Sequence, residues 1–265
     1  MASTAVTVTG LQSPLPPATL TIGGTSTVNP APPPYIGTGG VVNGASFAAG
    51  ADVAPGGIVS VFGTNLAASN GNQATFPLPT NLGGITLTVG GINAPLFYAG
   101  TGQVNAQIPF EIPANSQTQV VARAISGANE ADGVPEPVTI SAAHPGIFTT
   151  NGTQGAILNA SYQLINTSTP VHAGDVIQIY CTGLGATNPP SVTGQAATSG
   201  IAVIQPTVTV GGLNAVVQYA GVAPGFVGLY QVNAVISTAV TTGAAVPVVI
   251  TQNGVASNTA TIVVQ

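Results

Sequence analysis

The sequence predicts an all-β protein made of two tandem immunoglobulin-like β-sandwiches behind an extended N-terminal β arm. Three observations carry that expectation. Short runs rich in Val, Ile and Thr alternate polar with apolar residues, as in TAVTVTG, GITLTVGG, PTVTVGG and TATIVVQ, which is the period of a half-buried strand. The 35 Gly and 22 Pro interrupt these runs at short intervals and leave no helical stripe of useful length. Three blocks recur in one order: PGGIVSVFGTNL (55–66) with AGDVIQIYCTGL (173–184), LTVGGINAPLFYAG (87–100) with VTVGGLNAVVQYAG (208–221), and QVNAQIP (103–109) with QVNAVIS (231–237). Ordered recurrence of this kind marks two copies of one folding unit.

The elements follow in order. Residues 1–39 form the arm: residues 4–9 alternate, ATLTIGGTSTV (18–28) alternates around a Gly pair, and Pro30, Pro32, Pro33 and Pro34 make a stiff linker. Extended, such a segment spans on the order of 100 Å. It has strand-forming sequence but too little for a stable sheet of its own. It either folds back on its own domain or pairs with a sheet edge of another copy as a donor strand. The first sandwich is expected over 40–146 and the second over 147–265. In PGGIVSVFGTNL, Ile58, Val59, Val61 and Phe62 alternate with small residues, Gly63 and Asn65 allow a bulge or tight turn, and Leu66 re-enters the core. Gly90-Gly91 and Gly211-Gly212 suit two-residue hairpins that need positive φ. Tyr98 and Tyr219 follow at matching positions, with room to bury a ring and bond the hydroxyl. Between the last two blocks the second copy carries VAPGFVGLY (222–230) where the first has only TG (101–102), a loop insertion.

Composition limits the function classes. Only 3% of the 265 residues are charged, far below the ~25% of ordinary soluble domains. Arg123 is the sole cation, against Asp52, Glu111, Glu130, Asp132, Glu136 and Asp175. One cation cannot neutralise a phosphate backbone or dock on an anionic membrane surface. Mean hydropathy is positive, so much apolar area must be covered, either by a neutral Thr-rich exterior or by neighbouring copies. Cys181 is alone, excluding an intrachain disulfide, and its apolar run VIQIYCTGL reads as core. No apolar run reaches the ~18 residues of a membrane-spanning helix. MASTAVTVTG shows neither the basic nor the apolar region of a signal peptide.

VVNGASFA (41–48), VAPGGIVSVFGTNLA (53–67), PLPTNLGGITLTVGGINAPLFYAG (77–100), GQVNAQIP (102–109), HPGIF (144–148), AGDVIQIYCTGLG (173–185) and APGFVGLYQVNAVI (223–236) resemble the hallmarks of the Solibacter uncharacterised C-terminal domain family. The resemblance runs from about residue 41 to 265. PGGIVSVFGTNL is also similar to the first strands of TIG-type immunoglobulin-like domains. The family resemblance implies a secreted bacterial protein, an extracellular or cell-surface location, and no catalytic residues. In that family the region usually follows a larger N-terminal portion; here only a short arm precedes it.

Reactive side chains are sparse. The two histidines, His144 in AAHPGIF and His172 in TPVHAGD, belong to no triad motif, and GASFA (44–48) lacks the second glycine of a nucleophile elbow. Asn129, Glu130, Asp132 and Glu136 crowd the expected loop GANEADGVPEP, where oxygens could hold calcium or simply face water; the spacing matches no EF-hand. Asp52 and Asp175 precede equivalent strands and suit turn capping. Three sequons begin at Asn151, Asn159 and Asn166. Tyr35, Tyr162 and Tyr230 are the candidate sugar-stacking rings, each set against burial in the core. No catalytic residue, cofactor or metal ligand is expected. The leading functional expectation is an extracellular structural subunit that self-assembles into a filament, tube or surface layer, with other copies of itself as partners. The alternative is an adhesive or carbohydrate-binding module of a secreted protein.

Overall fold

The computed structural model describes residues 32–73, 75–126 and 129–265; the N-terminal segment 1–31, and with it the pairing of the arm, lies outside the described residues. Pro33–Gln265 is one compact unit. Among the described residues the ordered elements are all strands, with no helix.

The first half contains β1 (Tyr35–Asn43), β2 (Ile58–Thr64), β3 (Gly71–Asn72), β4 (Ile85–Val89), β5 (Ile92–Asn93), β6 (Leu96–Ala99), β7 (Gln103–Gln107), β8 (Ser116–Ser126), β9 (Asn129–Asp132) and β10 (Glu136–Ile140). They make two antiparallel sheets, ordered β1-β2-β7-β6-β3 and β10-β8-β4-β5, with β9 added to β8. Strand β1 thus begins inside the segment assigned from sequence to the arm, pairing Tyr35 with Thr64 and Ile36 with Gly63. The period of two works as expected in β4, where Ile85, Leu87 and Val89 are buried and Thr86 and Thr88 are half-buried. Those side chains meet Val59, Val61, Leu96, Val104, Val120 and Ala122 in one core. Each such Ile, Leu or Val contributes about 1.5–3 kcal/mol on burial.

The second half contains β11 (Gly146–Ile147), β12 (Ile157–Asn159), β13 (Val176–Thr182), β14 (Thr187–Asn188), β15 (Ile201–Ala202), β16 (Thr207–Val210), β17 (Leu213–Val222), β18 (Tyr230–Val235), β19 (Gly243–Gln252), β20 (Val255–Ala256) and β21 (Ala260–Val264). One sheet runs β11-β13-β18-β17-β16-β19-β20; β12 joins β13, β15 joins β17, and β21 joins β19. Ile177, Ile179, Val208, Val232, Val248, Ile250 and Ile262 share a second core.

The two halves differ at one proline. Pro95 stands where the second copy has Val216. Lacking an N–H, proline cannot donate to a ladder, and the first copy breaks into β5 and β6 around it: Ala94 N–H bonds Leu87 O, while Gln107 N–H bonds Pro95 O. The second copy crosses the same corner as the unbroken ten-residue β17. Both carry a register shift just before the repeated tyrosine, at Leu96/Tyr98 and Val217/Tyr219. The Gly-Gly hairpins form as expected. Gly90 and Gly91 have φ of 56° and 82°, Gly211 and Gly212 of 60° and 79°, the double positive φ of a type I′ turn.

Two local expectations change. Phe62 is not core: Val59 and Val61 face inward, which turns Phe62 outward, 38% exposed, beside Phe47 at 6.3 Å between ring centres. The acidic stretch 129–136 is not one loop: Asn129–Asp132 is strand β9, laid along β8, and Glu136 opens β10.

The halves are stitched by buried polar groups. Ile58 N–H donates to Thr182 Oγ1 at 2.8 Å, and the same hydroxyl donates to Gly228 O at 2.8 Å. Asn43 Nδ2 donates to His144 O at 2.9 Å. Gln107, 1% exposed, donates to Gly56 O and accepts from Gly194 N–H. Gly228 belongs to the 222–230 insertion, and a Cβ there would meet the Ile58 side chain and Gly56 O. The insertion is therefore not a free loop tip, because part of it packs against the other half.

Candidate functional site

Strand alternation sets the floor of an aromatic groove. On β18, Tyr230, Val232 and Ala234 are buried, leaving Gln231 and Asn233 on the outer face. On β13, Ile177, Ile179 and Cys181 are buried, so Gln178 and Tyr180 share that face. Cross-strand register places Tyr180 opposite Gln231, Gln178 opposite Asn233, and Tyr219 of β17 opposite Asn233. Asn188–Pro189, Thr198–Ile201, Ala223, Pro224 and Phe226 complete the lining of an open groove of about 580 Å³. No Asp, Glu, Lys, Arg or His lines this volume.

The floor is tied together by amides. Gln231 Nε2 donates to Asn233 Oδ1 at 2.8 Å and to Gln178 Oε1 at 3.3 Å. Gln178 Nε2 passes the chain on to Asn159 O. The Tyr219 hydroxyl donates to Val222 O at 2.7 Å, and partial burial raises its pKa. Phe226, 52% exposed, is held in the wall by a turn: Gly225 N–H bonds Ala197 O, and Ala197 N–H bonds Phe226 O. Tyr162, 72% exposed, stands at the rim with φ of 59°. A side chain rarely adopts that conformation; here Asn159 Oδ1 enforces it by accepting from Ser161 and Gln163 N–H, both at 3.0 Å.

Of the three tyrosines singled out in the sequence, only Tyr162 lines the groove. Tyr230 is not a surface platform. It is fully buried, and its hydroxyl donates to Gly185 O at 2.5 Å. Tyr35, 46% exposed, sits on β1 away from the groove. Sequence reading missed Tyr180, Tyr219, Phe226, Gln231 and Asn233 as a group. The signal was present: Tyr180 and Gln231 have the parity opposite to the apolar residues of their strands.

The other candidates do not assemble. Arg123 Nε and Nη2 hold Asp132 at 2.6 and 3.1 Å, and Nη1 reaches Glu130 at 3.2 Å. Hydrogen bonding to the guanidinium holds the Asp132 carboxyl below its ordinary value and raises Arg123. Glu136 turns away to accept Gly39 N–H at 2.6 Å, so these carboxylates do not converge on one ion. Among the described residues no cluster of three His, Cys, Asp or Glu could hold a metal. His172 Nδ1 lies 3.5 Å from Asp175, but both side chains are about half or more exposed on an open turn rather than in a cleft. Asp175 also caps that turn through His172 N–H at 2.7 Å, and Asp52 accepts the Ser141 hydroxyl. His144 has a buried Nδ1 without a hydrogen-bond partner among the described residues. Cys181 is fully buried, which pushes its thiol pKa far up. All three sequon asparagines brace turns: the Oδ1 atoms of Asn151, Asn159 and Asn166 each accept backbone N–H groups two to four residues on.

No family model and no curated protein matches the chain. Among solved structures, the C-terminal domain of the Streptococcus agalactiae AgI/II polypeptide BspA is similar at 12% identity, covering 88% of this chain and 100% of that one, with a TM-score of 0.20. BspA_C_mut shares 12% identity over 90% of this chain and 100% of its own, with a TM-score of 0.23. BspA_C_WT shares 11% over 85% and 98%, with a TM-score of 0.19. At such scores the likeness carries no argument about fold or function.

Proposed function

We propose that this chain is a non-enzymatic extracellular protein of adhesive type, which holds an uncharged ligand in the groove over β13, β18 and β17. One observation carries this reading: Tyr162, Tyr180, Tyr219 and Phe226 line one groove with the amides of Asn188, Gln231 and Asn233, and the lining has no ionisable acid or base other than tyrosine hydroxyls. Such a lining binds by stacking and neutral hydrogen bonds and offers no general acid or base at neutral pH. The extracellular location rests on the family resemblance and on the near-absence of charge. The two cores, one over Ile36–Ile140 and one over Ile147–Val264, are taken as two immunoglobulin-like sandwiches matching the repeat. Beads coated with the chain should be retained under flow on a layer of extracellular matrix, and beads carrying Tyr162→Ala with Phe226→Ala should detach at lower shear. Equal retention of the two coatings would remove the groove from adhesion.

A second reading is self-assembly through strand exchange, with the leading residues ahead of β1 pairing on a neighbouring copy. Its support is the strand-forming, Pro-linked leading sequence and a surface with one cation and little repulsion between copies. Electron microscopy of the chain with and without residues 1–31 tests it. Monodisperse particles in both preparations would reject assembly and leave the adhesive reading standing.

A further inference from the structure

We infer that the ligand of the groove is a neutral glycan, bound with a sugar ring against the tyrosines and a pair of adjacent hydroxyls on Gln231 and Asn233. The inference rests on the adhesive reading above and names its ligand class.

The hydrogen-bond inventory of the floor points to hydroxyls. Gln231 spends both Nε2 hydrogens, on Asn233 Oδ1 and Gln178 Oε1. Its own Oε1 is left as an acceptor. Asn233 spends Oδ1 on that bond, which leaves its Nδ2 as a donor. The two residues lie on one face of β18, two positions apart, so the floor presents an acceptor and a donor side by side. A group that answers both must donate at one point and accept at the next. Vicinal hydroxyls do this, because each hydroxyl is donor and acceptor at once. A carboxylate or sulfate, which only accepts, would leave Gln231 Oε1 facing an anion. An ammonium, which only donates, would leave Asn233 Nδ2 without an acceptor. With no formal charge in the lining, nothing offsets desolvation of an ionic ligand.

The aromatic complement fits the other side of a pyranose. Tyr180 and Tyr219 flank the amides on neighbouring strands, while Tyr162 and Phe226 stand exposed at the rim. Rings in these positions can cover the C–H faces of successive sugar units. A volume of about 580 Å³ is within the ~300–1,000 Å³ of small-ligand sites.

The protein carries its own control. The repeat places Phe62, Gln103, Asn105 and Tyr98 at the positions of Tyr180, Gln231, Asn233 and Tyr219, with the same pairings and the same Gln-to-Asn bond, here 2.7 Å. That face lacks the 222–230 insertion. It also differs chemically, because Ser60 stands in place of Gln178 and its hydroxyl bonds Asn105 Oδ1 at 3.1 Å.

The test is affinity electrophoresis and calorimetry of the full chain against neutral polysaccharides, uronic-acid and sulfated polysaccharides, and a peptide of the chain's own proline-rich residues 28–36. Neutral polymers should bind and anionic ones should not. Asn233→Ala and Tyr180→Ala should each weaken binding at least about tenfold. Asn105→Ala and Phe62→Ala should leave it within about twofold, and all four should keep a cooperative unfolding transition. Binding of the anionic polymers in preference, or neutral binding that survives both groove variants, overturns the inference. Groove-dependent capture of the peptide without any glycan also overturns it, while preserving the adhesive reading. Loss of shear resistance with no glycan bound separates the two in the same way.

Discussion

Thr182 is the sharpest test of how the two halves are joined. Its side chain is fully buried, and its hydroxyl accepts from Ile58 N–H and donates to Gly228 O, each at 2.8 Å. Thr182→Val keeps the shape and removes only the hydroxyl. Ile58 N–H and Gly228 O then lose their shared partner, the first part-buried and the second buried. An unsatisfied buried group costs about 1–3 kcal/mol; with Ile58 only part-buried, the sum comes to about 3 kcal/mol. For a chain of this size that corresponds to a fall in melting temperature of about 6–12 °C. The repeat supplies the comparison, since Thr64 holds the equivalent position and is exposed. Thr64→Val should therefore shift the transition by less than about 0.5 kcal/mol. Differential scanning calorimetry of both variants at one pH decides the matter. Equal, small shifts would show that the hydroxyl does not hold the halves together.

Three further outcomes follow from the same geometry. Gly183 has φ of 81°, and a Cβ there would strike His144 O; Gly183→Ala should lose about 3 kcal/mol or more in urea titration, whereas Gly212→Ala, with open space around it, should lose only about 1. Tyr230→Phe removes the bond to Gly185 O and should lower stability by about 1–3 kcal/mol while leaving ligand binding in the groove unchanged. Burial raises the pKa values of the Cys181 thiol and the Tyr230 hydroxyl above their ordinary 9.0 and 10.0. The unfolded chain therefore releases these protons first, and the stability they contribute is full below pH 9 and declines as pH rises through 9 and then 10. Each slope approaches about 1.4 kcal/mol per pH unit. Urea midpoints between pH 7 and 11 should show both, with Cys181→Ala removing the earlier decline.

The exposed ion pairs of Arg123 belong to a different class. The guanidinium bridges β8 to β9 at the surface, where water and salt screen it. Replacing Arg123 with Gln should disturb stability less than Thr182→Val does, and added salt should shrink the Arg123→Gln effect further.

Much of the architecture was legible in the chain alone. Alternation of Ile85, Leu87 and Val89 with threonine, the paired glycines at 90–91 and 211–212, and the apolar run around Cys181 are governed by nearest-neighbour sterics and strand parity, which operate within a few residues. The repeat needed no structure either. The groove did need it. Tyr180 and Phe62 occupy the same repeat position, yet Phe62 stands exposed beside Phe47 while Tyr180 lies in a groove that Tyr162, the segment 198–201 and the 222–230 insertion line from distant parts of the sequence. Tyr162 and Tyr230 looked alike as isolated tyrosines. One is turned to solvent by an asparagine-braced turn, and the other sits on the inward parity of β18 with its hydroxyl satisfied by Gly185. Local sterics decide which residues form strands and which face each presents; which of two equivalent faces becomes a site depends on long-range packing that no short window contains.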